Sequence, residues 1–183
     1  MSDYLVDLRD VQFLLFEYLD VEKLTKYPKF QEFNREMFEM IVEEGLKQAQ
    51  EIAAPLGPLG DQKGVKFDDG KVEVPQEFVD AYKLYAESGW IAGTVDPEWG
   101  GQGLPLTIGA AVAEFFQGAC FPLVATGGLT TGAAGLLKDF GTDDIKSLYL
   151  EKMYSGQWAG TMCLTEPQAG SAVGDTLCRA TKE

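Results

Sequence analysis

The chain has 183 residues, 45% of them hydrophobic and 24% charged, a composition that fits a folded globular protein and argues against a disordered segment. Its formal net charge of −14 is spread along the length, which predicts an acidic, well-solvated surface and disfavours nucleic acid as a partner. Cys120, Cys163 and Cys178 lack CxxC spacing and the chain has no histidine, so neither a disulfide framework nor a metal site is expected.

The opening MSDYLVDLRD is acidic where a signal or transit peptide would be basic. No uninterrupted apolar run is read as reaching the ~20 residues that cross a bilayer. A soluble cytoplasmic protein with no transmembrane segment is the expectation.

In chain order, VQFLLFEYL reads as a short helix that is apolar nearly all round and so needs burial against a larger body. After TKYP comes a long helix carrying Phe30, Phe33, Met37, Ile41 and Ile52, with Pro28 in its first turn and Pro55 and Gly57 at its end. VKFDDGKVEV places Asp69-Gly70 between two alternating segments and predicts a hairpin. A further helix is expected from about Pro75 to Ser88, with Phe78, Tyr82 and Tyr85 on one face and Gly89 as its stop.

GTVDPEWGGQGLP is too rich in glycine and proline for regular structure and predicts a loop. Thr107 is read as the cap of a helix through IGAAVAEFFQGAC, whose small residues allow close approach by a neighbour. Another helix follows around LTTGAAGLLKDF, and Thr142 caps DDIKSLYLEKMYS, which Gly156 ends. QWAGTMCLT and DTLCRATK then read as strands flanking the polar turn EPQAGSAVG. A lone strand pair is marginal in water, so the chain is expected to end inside a domain.

The stretch MCLTEPQAGSAVGD resembles the signature of the FAD-dependent acyl-CoA dehydrogenases, an apolar strand followed by Thr-Glu-Pro and then Gly-Ser. DPEWGGQGLP is similar to the glycine-rich loop of that family's helical N-terminal domain, and DYLVDLRDVQFLLFEYLDVEKL to the N-terminal extension of its longer members. The resemblance implies a mainly α fold: a helical extension over residues 1–25, the N-terminal helical domain over 26–156, and the start of the middle β-domain over 157–183. It also implies a bound FAD, with Met162, Leu164 and Thr165 along the flavin ring, Gly170 and Ser171 at the pyrophosphate, and Ser171 also near the substrate. Where the family usually has Asp after that serine, Ala172 stands here.

These roles suit the residue types. Donors from a strand end stabilise negative charge on a reduced flavin, and Thr165 offers a hydroxyl and an N–H. A pyrophosphate takes backbone amides at close range, and Gly170 has no side chain to block them. Taken as an isolated triplet, Thr165-Glu166-Pro167 would read as a strand exit with a self-capping threonine. Ser171 has no histidine to activate it as a nucleophile. Glu166 reads as a structural or surface carboxylate rather than as a catalytic base, because the resemblance puts the base in the C-terminal helical domain. The loop at Gly100, Gly101 and Gly103 matches neither a dinucleotide fingerprint nor a P-loop and reads as a tight interdomain turn. Trp90, Trp99 and Trp158 read as packing anchors.

The implied activity is α,β-dehydrogenation of an acyl-CoA thioester. A carboxylate takes the α-proton, the β-hydride goes to flavin N5, the product is the trans-2-enoyl-CoA, and the electrons leave through an electron-transfer flavoprotein. A homodimer or homotetramer is the assembly the resemblance implies, and this chain alone is expected to be inactive. The competing readings are a non-catalytic helical binding or assembly module, and a relative resembling the acyl-CoA oxidases.

Overall fold

The computed structural model describes residues 6–182, so Met1 to Leu5 of the expected extension lie outside it. The mainly helical expectation holds. Asp7 caps the first helix, α1 (Leu8–Gln12), through its carboxylate and the N–H of Arg9, and α1 continues into a wide π-turn over Phe13–Tyr18. Val11, Leu15, Phe16 and Val21 are buried in the main core, while Phe13, Leu14, Tyr18 and Leu19 are exposed. The opening helix is therefore buried on one side and bare on the other.

The long second helix begins later than the apolar spacing suggests. Pro28 starts a separate short turn over Pro28–Phe30, and α2 (Arg35–Gln48) is capped by Asn34, whose side chain accepts the Met37 N–H at 2.9 Å. Phe33 precedes the helix and stacks on Phe38 at 5.5 Å. α2 passes into a second π-turn, Ala49–Ala53, where the core residues Ala49 and Ala53 continue the buried face of Phe38, Val42 and Leu46. Pro55 and Gly57 do not stop the helical run. Pro55 instead directly precedes α3 (Leu56–Lys63), an element absent from the sequence reading.

The Asp69-Gly70 hairpin is present, with β1 (Lys66–Asp68) antiparallel to β2 (Lys71–Glu73) and Phe67 opposite Val72. Both turn residues have positive φ, the geometry that a two-residue hairpin loop needs. α4 (Gln76–Glu87) follows, and left-handed Gly89 lies just beyond its end.

α5 (Leu106–Phe140) is the central helix, and it joins the two helices expected from sequence. Its first residue follows Pro105, so Thr107 lies inside it rather than capping it. The bend falls at Cys120, whose φ of −159° and ψ of 89° are non-helical. Pro122 explains the bend, because it has no N–H to donate and its ring crowds the preceding turn. α5 carries no charged residue from Phe115 to Leu137, and by length and composition it is long and apolar enough to cross a membrane, which corrects the sequence reading of its apolar run. The fold packs it against α2, α3, α4 and α6 (Asp143–Tyr154). Close approach to α2 depends on Gly45, where a Cβ would stand 2.9 Å from both Val112 methyls.

The segments read as strands after Gly156 form no ladder among the described residues. The one bridge there is local, between Glu166 and Ala169. Unpaired strands gain nothing from their N–H and C=O groups, and two alone do not offset the cost of ordering them.

Candidate functional site

Two features stand beside the second half of α5. One is an apolar cleft of about 570 Å³ lined by Tyr85, Trp90, Phe116, Phe121 and Val124 and floored by small residues including Ala125, Gly127 and Gly128. Trp90 is fixed by its indole N–H, which donates to Gln48 Oε1 at 2.9 Å, and by tilted packing on Phe116. Thr131 donates to the Ile91 carbonyl at 3.0 Å and ties that wall to α5. None of the cleft's lining residues carries a charge at neutral pH: burial, and then the neighbouring Tyr82, push the Tyr85 phenol up to about 12, so it stays protonated. The sequence reading missed this cleft. Its signal was the run TGGLTTGAAG, poor in intrinsic helix propensity yet helical here, with small residues on an open face.

The second feature is the turn after α6. The chain leaves α6 through Gly156 at φ 77°, where a Cβ would come within 2.8 Å of Ala86 and Ile91. Trp158 is exposed, with its ring edge-on to Tyr149 and the Lys152 ammonium 4.2 Å from the ring centre. Gly160 then crosses α5 and donates its N–H to Thr130 Oγ1 at 3.0 Å, beside Leu129 and Thr131 of the cleft.

Beyond this crossing lie the residues singled out from sequence. Met162, Leu164, Thr165, Gly170 and Ser171 are all exposed, Met162 and Leu164 being large apolar side chains. Among the described residues, the N–H groups of Thr165, Gly170 and Ser171 and the Thr165 hydroxyl have no hydrogen-bond partner in the chain. Gly170 has ordinary negative φ, and nothing stands within 4 Å of where its Cβ would be, so neither backbone strain nor internal packing calls for glycine there. Ala169, next to it, is fully buried and seats the turn on the body.

Glu166 is not a free base. Its carboxylate accepts the N–H groups of Leu177 at 2.8 Å and Cys178 at 3.0 Å, and the Leu177 bond first, then Gln168 and Cys178, hold its carboxyl below the usual range. The glycine-rich loop also turns its amides inward. Gly101, Gln102, Gly103 and Leu104 donate to carbonyls of Asp96, Ala92, Val95 and Gly93, and a Cβ at Gly101 would stand 2.0 Å from the Val95 oxygen. That loop is structural and leaves no amide cradle for an anion. Among the described residues no cluster of three or more histidine, cysteine or carboxylate side chains could hold a metal.

Residues 63–157 match the acyl-CoA dehydrogenase N-terminal domain, which is more than half of the chain. The chain belongs to the acyl-CoA dehydrogenase family. It is 34% identical to the 3-methylmercaptopropionyl-CoA dehydrogenase of Ruegeria pomeroyi over 97% of this chain and 30% of that protein. Against a butyryl-CoA dehydrogenase of Syntrophomonas wolfei the identity is 32% over 94% of this chain and 29% of the relative. A broad-specificity linear acyl-CoA dehydrogenase of Mycobacterium tuberculosis is 30% identical over 100% of this chain and 30% of its own length. The chain thus spans about 30% of the length of these curated relatives. The matched region holds α4, the glycine-rich loop, α5 and α6, and it stops short of the turn at Thr165–Ser171.

Proposed function

We propose that this chain supplies the helical domain and the first flavin-binding turn of an FAD-dependent acyl-CoA dehydrogenase. Family membership supports the reaction class, an oxidoreductase acting on acyl-CoA thioesters. The observation that carries the cofactor reading is the turn itself: exposed, glycine-bearing, with unpartnered amides at Gly170 and Ser171 and an unpartnered Thr165 hydroxyl. FAD, when bound, supplies the two-electron oxidant for loss of the α-proton and β-hydride. Gly170 and Ser171 would hold its pyrophosphate through their amides, and Thr165, Met162 and Leu164 would meet its ring.

The acyl chain is proposed to lie in the cleft along α5. That cleft is apolar and uncharged, so it favours a hydrocarbon tail and excludes water from it. No carboxylate lines it, so the base that takes the α-proton is proposed to come from outside the described residues. Transfer of electrons to an electron-transfer flavoprotein, a homodimeric or homotetrameric assembly and a cytoplasmic, reducing setting complete the proposal; three free cysteines fit the last.

The test is to express the protein from its complete gene, record flavin absorbance, and assay acyl-CoAs of several lengths with an artificial electron acceptor. Bound FAD and turnover are the expected result. Replacing Gly170 with Val should lower the flavin content sharply, because the side chain holds the pyrophosphate off the amides. A parent protein that neither carries nor takes up FAD would leave a non-catalytic helical module as the surviving reading.

A further inference from the structure

We infer that Glu166 is a positioning residue, whose carboxylate fixes the amides of the turn by tying it to the returning chain at Leu177 and Cys178. The inference rests on the flavin reading of that turn. Its basis is a closed set of bonds. The main chain of Glu166 closes the tight turn with Ala169, with N–H to oxygen distances of 2.9 and 3.1 Å in the two directions. Its side chain then accepts Leu177 N–H on Oε2 and Cys178 N–H on Oε1, and Gln168 Nε2 donates to Oε2 at 2.5 Å.

Successive amides of a regular strand point to opposite sides. Here two in a row converge on one carboxylate, so the chain at Leu177–Cys178 is bent into a small concave pair of donors. Between the two ends of this clamp lie Gly170 and Ser171, whose own amides stay unpartnered and exposed. With no ladder to hold the segment, the carboxylate ties the turn, already closed by the Glu166–Ala169 backbone pair, to the returning chain. No lysine or arginine pairs with Glu166 among the described residues, so its charge is balanced by amide dipoles alone. The two N–H groups reach different oxygens of one planar carboxylate, and glutamine would put an N–H2 donor in place of one of those acceptors. An amide at this position offers one oxygen, and alanine offers none.

The test compares the flavin-loaded parent with Glu166→Gln and Glu166→Ala, measuring FAD dissociation by flavin fluorescence and amide exchange at Leu177 and Cys178. Glu166→Ala should bind FAD about tenfold more weakly, from lost preorganisation, and Glu166→Gln should fall between it and the parent. Both amides should lose protection, and the thermal midpoint of the flavin-free protein should not move, since the clamp is at the surface. If Glu166→Ala matched the parent in FAD affinity, the clamp would be overturned while the functional reading stood. A parent that fails to bind FAD would overturn both.

Discussion

Thr130 shows how one hydroxyl can decide the course of a chain. It is fully buried at 0% exposure, donates to the Thr126 carbonyl at 2.7 Å and accepts the Gly160 N–H at 3.0 Å. The first bond is local and legible in sequence, since threonine in a helix commonly bonds the carbonyl four residues back. The second joins residues thirty apart, and no local pattern announces it. Thr130→Val keeps the shape and removes the acceptor, so the Gly160 amide loses its partner at a cost of about 1–3 kcal/mol. Urea unfolding should show that loss, and amide exchange at Gly160 should quicken. An unchanged exchange rate at Gly160 would mean that the segment leading to the turn at residues 165–171 is anchored elsewhere.

Among the elements, α1 with its π-turn is buried against the body on one side, the burial its apolar character calls for. Phe16 is buried and carries the Arg35 guanidinium 4.9 Å from its ring centre, so the segment shares the main core with α2. Phe16→Ala should therefore cost about 3–5 kcal/mol in unfolding free energy. Leu14 and Tyr18 sit on the exposed side, 50% and 72% accessible, and changing both to Ser should leave monomer stability within about 0.5 kcal/mol. Denaturant midpoints of the two variants test this contrast directly. Positions that need a positive φ were the most legible. Gly89, Gly156 and the Asp69-Gly70 turn were readable because positive φ is a local property of few residue types. The start of α2 was misread because Phe30 and Phe33 continue its apolar spacing, although Asn34 is the residue that can cap it.

Across the whole molecule, Asp96 joins three distant parts. Its carboxylate meets Lys29, at 2.7 Å, from the segment before α2 and Lys138, at 3.9 Å, from the end of α5, and it opens the glycine-rich loop. The bond from Lys29, and then the charges of Lys29 and Lys138, hold its carboxyl below the usual aspartate value. A depressed folded-state value adds stability that is present above the ordinary aspartate range and is lost as pH falls through the depressed value. Asp96→Asn should remove that acid-side dependence, by about 1 kcal/mol or less because all three groups are partly exposed, and added salt should shrink it further. Unfolding measured between neutral and acid pH, with and without salt, checks both effects.

The sequence by itself determined the helical class, the hairpin and the helix stops at Gly89 and Gly156. Each of these is written in residues close together in the chain. Only the tertiary structure decided that the two apolar stretches around Cys120 form one bent helix, that a run apolar enough for a bilayer serves as the central core element, and that Glu166 bonds backbone eleven and twelve residues away. It likewise left the terminal strand-like segments without a ladder. The physical reason is common to all four. Burial and hydrogen-bond pairing depend on which partner surface is present, and that information lies in the folded arrangement rather than in any short window of residues.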